Sequence, residues 1–325
     1  MVRYRLLLPH LGQPREKRRL GYFVLALLAV FNSWLLFVYH LPGHTLFWYT
    51  LQDAGHGLIF LTLSLALCVC LHLLFSIPPT RVVPWVFGLC LAFGGGAELV
   101  QALVGRSPSW GDFWLDVLGT SAGLSLYLSS LSNGPLRWIC LLLAFALMWI
   151  DLSTPLRVHW AENQRQKQFP VLADFDNRWL NGFVRAADTA RWQAVPPPVA
   201  WRGHDSNVAR LDQFPGDWPG LHLFEVEPDW SNYTVFSFDV FNPSQTVARV
   251  TVRISDIAHN HMYPDRFNRM YKFKPGAQHV EISLDKVRSA PRTREMDLTR
   301  MKAVIIYTYR LNEERTLYFD NIQLR

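Results

Sequence analysis

The chain has 325 residues, a formal net charge of +6 and four cysteines, and 50% of its residues are hydrophobic. Most of the excess positive charge lies in residues 1–20, where six arginine and lysine residues face Glu16 as the single acidic residue. Because this charge is confined to one short flank, it indicates membrane orientation and argues against nucleic-acid binding.

Five apolar segments follow one another between the basic flank and Leu152. About 20 apolar residues cross the hydrocarbon core of a bilayer as a helix. The alternative is a set of buried helices in a soluble core, which such a succession of segments disfavours. The sequence therefore predicts an α-helical membrane bundle with about five transmembrane helices, at residues 21–39, 58–77, 82–104, 113–131 and 136–150.

The basic flank also predicts the orientation of this bundle. Short basic segments stay in the cytoplasm, and five spans place the two ends of the chain on opposite sides of the membrane. The first span is too long for a signal peptide and lacks a small-residue cleavage site, so we expect an uncleaved anchor. The expected location is the cytoplasmic (inner) membrane, with a cytoplasmic N-terminus and an extracytoplasmic C-terminal domain.

The composition changes after Leu152 from apolar runs to polar, aromatic and strand-like sequence, and the mean hydropathy of +0.07 averages the two parts. A composition step of this kind marks a domain boundary. The predicted domains are a cytoplasmic N-terminus, a transmembrane domain, a linker and an extracytoplasmic β-sandwich domain, at residues 1–20, 21–152, 153–170 and 171–325.

Polar residues accompany the apolar segments in three clusters, all at the predicted outer surface. Ionisable groups in membrane helices are costly and by default mark a functional site. Spacings of three or four residues put each pair on one helix face. One shared cavity could perform acid/base chemistry, clamp a phosphate or hold a divalent cation. The predicted site residues are Asp53, His56, Glu98, Gln101, Arg106, Asp112 and Asp116.

Simpler roles are open for some of these residues. Aspartate is a favoured N-cap, so Asp53 could cap the start of the second span. Arg106 could be an ordinary interfacial anchor. The glycines at 94–96, with Gly119 and Gly123, are expected to permit close helix packing.

The order of these motifs resembles the VanZ-like family of small membrane proteins over about residues 20–131. The family usually has asparagine where this chain has Asp116, which adds a carboxylate to the cluster. The resemblance implies a protein of the cell envelope associated with glycopeptide-antibiotic resistance, and it does not supply a biochemical activity. The matching positions are Asp53, His56, Glu98, Gln101, Arg106, Ser107, Asp112, Gly119 and Gly123.

Alternating apolar and polar residues predict strands in the C-terminal part, where turn residues separate them. The length and pattern favour an all-β jelly-roll sandwich with one short helix at 284–289. No cysteine follows Cys140, so this domain cannot be stabilised by disulfides. The predicted strands are residues 234–241, 248–254, 279–284, 302–309 and 316–324.

This domain resembles the galactose-binding-like jelly rolls, including carbohydrate-binding modules, in its opening segment 172–176 and closing segment 317–324. The resemblance implies glycan binding and a structural calcium ion between the first and last strands, held by Asp176 and Asp320. Tryptophans of the domain either stack on sugar rings or pack in the core. They are Trp179, Trp192, Trp201, Trp218 and Trp230.

Residues 256–269 form the densest polar cluster of this domain and are expected to be a loop after a strand, where binding residues concentrate. The cluster fits a polar ligand site, a structural network within the loop, or a metal site for which spacing supplies no third ligand. The candidate residues are His259, His261, Asp265, Arg266 and Asn268.

Three functional hypotheses follow. In the first, the external domain binds a glycan while the helical part engages an envelope lipid or a glycan precursor. In the second, the chain is a membrane enzyme that performs acid/base or phosphoryl chemistry on a lipid-linked saccharide. In the third, the chain is structural and the jelly roll docks a protein partner.

Overall fold

The structure is a computed structural model, and it describes residues 14–37, 39, 41, 43, 45–103 and 109–325. The chain divides into two compact units, Met1–Arg157 and Val158–Arg325. We call the first the helical unit and the second the β unit.

Five long helices make up the described part of the helical unit, as the sequence predicts. Four of them (α1, α2, α3 and α5) are long and apolar enough to cross a membrane, judged by length and composition. Aspartate, serine and threonine residues keep α4 out of this set. The helices are α1 Pro14–Phe37, α2 Leu46–Leu73, α3 Pro79–Leu103, α4 Trp110–Leu131 and α5 Pro135–Gln168.

Two helix boundaries differ from the sequence prediction in ways that matter for the site. Helix α2 begins at Leu46 and its N-cap residue is Thr45, so the N-cap interpretation of Asp53 is wrong. Asp53 and His56 lie well inside the helix. Helix α5 continues to Gln168, so the segment 153–170, expected to be a connector, is almost entirely helical.

Glycines bring α2 and α4 into direct contact, as the small-residue spacing predicts. A Cβ atom on Gly119 would lie 2.0 Å from the carbonyl oxygen of Gly57, and a Cβ atom on Gly123 would lie 2.1 Å from Ser64 Oγ. No side chain fits at either distance. The two helices therefore pack backbone against backbone, which is how small residues let membrane helices associate.

The β unit is an antiparallel sandwich of two sheets. The six-stranded sheet has the order β3-β4-β11-β6-β9, with β1 paired to β11, and the five-stranded sheet has the order β2-β5-β10-β7-β8. The strands are β1 Val171–Ala173, β2 Val184–Ala187, β3 Ala190–Val195, β4 Val208–Gln213, β5 Gly220–Phe224, β6 Val235–Asn242, β7 Ala248–Asp256, β8 Phe267–Phe273, β9 Gly276–Ser283, β10 Met301–Tyr307 and β11 Arg315–Leu324.

The five predicted strands are confirmed as β6, β7, β9, β10 and β11, and the short helix is α6 Leu284–Arg288. The core lies between the two sheets, because alternate residues of each strand point inward. Its largest fully buried side chains include Trp230, Phe236, Phe238 and Phe319. These aromatic residues supply the apolar area that stabilises the sandwich.

The glycine contact between α2 and α4 gives a stability prediction. Gly119→Ala should lower the Tm of the purified full-length protein in detergent, because its new methyl group collides with backbone that cannot move aside. Gly88→Ala is the matched control: its Cβ meets nothing within 4 Å. Its Tm should be unchanged or higher, since alanine is the better helix former. Equal Tm values for the two variants would contradict this packing.

Candidate functional site

Two of the predicted helical residues form a buried pair. His56 on α2 donates from Nδ1 to Asp116 Oδ1 on α4 over 3.0 Å, and Asp116 is only 2% exposed. Gly94 on α3 makes room for this carboxylate, because a Cβ there would lie 2.6 Å from Asp116 Oδ2. Three helices thus enclose the Asp116 carboxylate, and its position one turn inside α4 places it in the bundle.

Glu98 has a second role at the end of α3. Its Oε2 accepts a hydrogen bond of 2.7 Å from the Ser109 backbone amide, while its Oε1 is buried with no partner among the described residues. Ser109 in turn caps α4, since its Oγ accepts from the Asp112 amide. Glu98 therefore connects the end of α3 to the start of α4.

Asp53, another predicted member of the site, is exposed on α2.

Asp151 on α5 is a residue that the sequence analysis missed. It is 2% exposed, and neither carboxylate oxygen has a hydrogen-bond partner within the described part of the chain. A Cβ on Gly57, next to His56 in the chain, would lie 2.5 Å from Asp151 Oδ2. Its position directly after the apolar segment 136–150 is the feature of the sequence that could have identified it.

Two predicted members of the helical site cannot be placed. Arg106 and the side chain of Gln101 lie outside the described residues. Among the residues that are described, no group of three or more His, Cys, Asp or Glu side chains could hold a metal ion. The described geometry therefore offers an acid and base pair beside a partnerless carboxylate, and it does not supply a divalent-cation cage.

In the β unit, an ion network fixes the polar segment that follows β7. Arg294 donates to Asp256 Oδ1 over 2.7 Å and to Asp265 Oδ1 over 2.6 Å, and Asp256 is fully buried. The guanidinium hydrogen bonds hold the pKa of Asp265 at about 2. Asp265 is therefore a structural residue of the loop, and Arg294 is a partner that sequence spacing did not reveal.

His259 uses both ring nitrogens inside this loop. Nδ1 donates to the Asp265 carbonyl over 3.0 Å, and Nε2 accepts from Arg253 Nη2 over 3.0 Å. Burial lowers its pKa, and neighbouring arginines lower it further. A neutral imidazole with both nitrogens engaged is not free to ligate a metal. His261 is exposed, with its ring centroid 5.3 Å from that of His259.

The outer face of the five-stranded sheet carries a row of residues that crosses all five strands and is polar on four of them. The pairing registers align one outward residue from each strand. Asn268 is the second residue of β8, so its predicted loop position is wrong. In the order β2, β5, β10, β7 and β8, the outer row is Arg185, His222, Ile305, Arg253 and Asn268.

Several hydrogen-bonding atoms on or beside this row are buried without a partner. Among the described residues they include Arg253 Nε, Arg266 Nε and Asn268 Oδ1. A cavity of about 240 Å³ opens beside them, lined in part by Arg266, Asn268 and Tyr263. Buried polar groups in folded proteins nearly always find partners. Arg266 and Asn268, each with one such atom, line this cavity, so it marks a place where a ligand can supply the missing partners.

The candidate tryptophans divide between core and surface. Trp201 and Trp230 are 3% and 0% exposed and belong to the core. Trp179 and Trp192 are partly buried. Trp218 is 49% exposed and stacks on Tyr309, with ring centroids 6.2 Å apart. It precedes β5 while Tyr309 follows β10, so the exposed aromatic pair stands at one end of the five-stranded sheet.

The residues nominated for calcium do not fit that ion. Asp320 accepts from His204 Nδ1 over 2.9 Å and from the Asn321 amide over 2.8 Å. Asp176 is exposed and accepts from the Asn207 amide. Calcium takes six to eight oxygen ligands, whereas Asp320 faces an imidazole. β1 does pair with β11, so the first and last strands meet as expected.

No family model matches this chain, and no curated protein matches it. The VanZ-like resemblance of the helical unit therefore stays a prediction. The similar solved structures include agarases and carbohydrate-binding modules.

One is an exo-β-agarase, with a TM-score of 0.39, 15% identity, and coverage of 48% of this chain and 25% of that one. Another is the family 11 carbohydrate-binding module from Clostridium thermocellum in complex with a β-1,3-1,4-mixed-linked tetrasaccharide, with a TM-score of 0.34, 15% identity, and coverage of 43% and 86%. A third is the family 30 module of a Clostridium thermocellum cellulosomal cellulase, with a TM-score of 0.31, 17% identity, and coverage of 44% and 86%.

The ion network around Arg294 gives the second prediction. Arg294→Ala should lower the Tm of residues 158–325 by about 10 °C, because it leaves the buried Asp256 carboxylate unpaired. Arg288→Ala, which removes an exposed pair with Asp285, is the control and should change Tm little.

The same variant has an expected pH dependence. The pKa of Asp265 is lowered from 3.8 to about 2 in the folded state, so its contribution to stability is complete above 3.8 and is lost as pH falls through about 2. The difference in Tm between wild type and Arg294→Ala should narrow over that interval in scanning calorimetry. A difference that stays constant with pH would show that the pair with Asp265 contributes nothing.

Proposed function

We propose that this chain is a glycan-binding integral membrane protein of the cell envelope, and that the glycan binds on the outer face of the five-stranded sheet. The observation that carries the proposal is the set of partnerless buried atoms at Arg253, Arg266 and Asn268. Sugar hydroxyl groups both donate and accept hydrogen bonds, so a saccharide satisfies guanidinium donors and an amide acceptor together.

The exposed aromatic pair supports the same assignment. Trp218 and Tyr309 present apolar ring surface at the end of the sheet that carries the outer row. Aromatic rings contribute binding energy through large contact area on an apolar surface such as the face of a sugar ring. The aromatic pair at the ends of β5 and β10 can stack on a sugar ring, and the row can form hydrogen bonds with sugar hydroxyl groups. These are the two kinds of contact that a saccharide chain needs.

Membrane insertion is the second part of the proposal. Four described helices are long and apolar enough to cross, and the fifth, α4, turns its polar residues inward. Asp116 and Thr120 are 2% and 0% exposed against the neighbouring helices. A helix that buries its polar residues in a bundle can cross a membrane despite a lower hydropathy. Five spans with a cytoplasmic basic flank would place the β unit outside.

We further propose that the His56 and Asp116 pair, with Asp151, engages an envelope lipid or glycan precursor. The alternative for these residues is acid/base chemistry on a lipid-linked saccharide. One observation favours it: an imidazole hydrogen-bonded to a buried carboxylate is an arrangement that general bases use. The partnerless Asp151 carboxylate would then face the substrate.

Binding of the full-length protein in detergent to a glycan array tests the proposed function. We expect retention of at least one class of saccharide, and Trp218→Ala should weaken it about fivefold by removing the stacking surface. Trp160→Ala is the matched control, since Trp160 is 52% exposed compared with 49% for Trp218. Retention of no saccharide, or equal loss in both variants, would overturn the proposal.

Alkaline phosphatase fusions test the topology. A fusion after Arg325 should be active, because five spans export the β unit, and a fusion after Asn133, in the turn between α4 and α5, should be inactive. The opposite pattern would contradict this topology, because the β unit would then lie in the cytoplasm.

A further inference from the structure

We infer that the glycan bound by the five-stranded sheet is an acidic one, whose carboxylate or sulfate groups pair with the arginines of the outer row and its adjoining cavity. This inference rests on the proposed function and adds the chemical class of the ligand. It follows from three properties of the face: its positive charge, the unpaired donors of its arginines, and the pairing of the nearby aspartates with Arg294.

The two sheets differ in the charge of their strands, all of which lie within the described residues. The strands of the five-stranded sheet contain six arginine and lysine residues and one acidic residue, Asp256. The strands of the six-stranded sheet contain three arginines and four acidic residues. Positive charge is therefore concentrated on one side of the sandwich, which raises the local concentration of an anionic ligand.

Asp256 and Asp265, which flank the loop between β7 and β8, pair with an arginine outside the outer row. Asp256 and Asp265 both accept hydrogen bonds from Arg294, which lies outside the outer row. Arg294 therefore neutralises both of these carboxylates. Burial lowers the pKa of the Arg253 guanidinium group, and the positive charge of Arg266 lowers it further. The two guanidinium groups therefore repel each other.

Arg253 and Arg266 are held in place while part of each guanidinium group stays unused. His259 accepts from Arg253 Nη2, and Arg253 Nε has no partner. The Arg266 guanidinium lies over the Tyr263 ring at 5.7 Å, and its Nε also lacks a partner. A guanidinium group that is fixed on one side and unpaired on the other suits bidentate pairing with a carboxylate or sulfate.

The cavity beside the row is also positively charged. Its lining includes Arg266, Arg269, Lys286 and Arg292, and no acidic residue is among its described lining residues. Its volume of about 240 Å³ is below the roughly 300 Å³ at which pockets for drug-sized ligands begin. A single charged group or sugar residue suits this space better than a whole oligosaccharide.

The row itself provides the length for a chain of sugars. Strands lie about 4.8 Å apart, so the distance from β2 to β8 across the sheet is about 19 Å. Arg185 and Arg253 occupy the first and fourth strands of the row, with His222 and Ile305 between them. Burial lowers the pKa of His222, and the charges of both arginines lower it further, to about 4. Two cations separated by two intervening strands match charges that repeat along a polysaccharide.

The test measures binding of full-length protein in detergent to polygalacturonate, dextran sulfate, neutral dextran and a single-stranded oligonucleotide at low salt. We expect polygalacturonate, dextran sulfate or both to bind roughly tenfold or more tightly than dextran, with affinity falling as salt rises. Arg253→Gln and Arg266→Gln should each remove roughly tenfold. The matched control Arg210→Gln, on β4, breaks only a half-buried pair with Asp212 on the other sheet and should bind as wild type does.

The outcomes separate the two claims. Neutral dextran or another neutral glycan bound as tightly as the acidic polymers would overturn this inference and leave the glycan-binding function intact. An oligonucleotide bound as tightly as the acidic polymers would also overturn it, because the face would then bind any polyanion and not specifically a glycan. No binding to any glycan would overturn the proposed function. Arg253→Lys and Arg266→Lys keep the charge and should retain part of the affinity, which a folding defect would not allow.

Discussion

Arg294 is the cation on which the organisation of the β unit's polar face depends. It bonds Asp256 at the end of β7 and Asp265 just before β8, so it holds both ends of the intervening loop. His259 is fixed by the carbonyl of Asp265 and in turn fixes Arg253. One ion network therefore positions the loop, orients an arginine of the outer row and neutralises two carboxylates.

The helical unit follows a different physical rule, in which close backbone contact creates the space for buried polar groups. Gly57 and Gly119 bring α2 and α4 together, and Gly94 leaves room for the Asp116 carboxylate. The same Gly57 adjoins the Asp151 carboxylate. Glycines thus determine where the acids can lie, and burial of a carboxylate is costly unless a partner offsets it. His56 is such a partner for Asp116, and Asp151 has none among the described residues.

Much of the fold could be predicted from the sequence because its signals are local. Apolar runs indicate the helices, and alternation indicates the long strands from β6 to β11, with β8 as the exception. Strand β8 lies at an edge of its sheet, and its alternation is obscured by Arg269 at an inward position and Met270 at an outward one. The short strands β1 to β5 offer too few residues for a periodic pattern, and the start of α2 at Leu46 precedes the run of uninterrupted apolar residues.

The candidate sites were less predictable because they depend on contacts between distant residues. Sequence proximity suggested that Asp265, Arg266 and Asn268 act together, yet Asp265 belongs to the network with Arg294, 29 residues away, while Arg266 and Asn268 border the cavity. Arg253 was overlooked because an arginine on a strand looks like an ordinary surface residue. Its place in the row appears only when the registers of β7, β10 and β8 are known.

The central claim is that a saccharide meets the five-stranded sheet through the unused guanidinium groups of Arg253 and Arg266. Nuclear magnetic resonance of the arginine Nε–H groups in residues 158–325 tests it most directly, because each side chain reports separately. Titration with an acidic oligosaccharide should shift the Arg253 and Arg266 Nε–H resonances, while Arg210 Nε–H, which already donates to Asp212 over 3.0 Å, stays in place. Shifts confined to Arg210 and the six-stranded sheet, with Arg253 and Arg266 unchanged at saturation, would contradict the account.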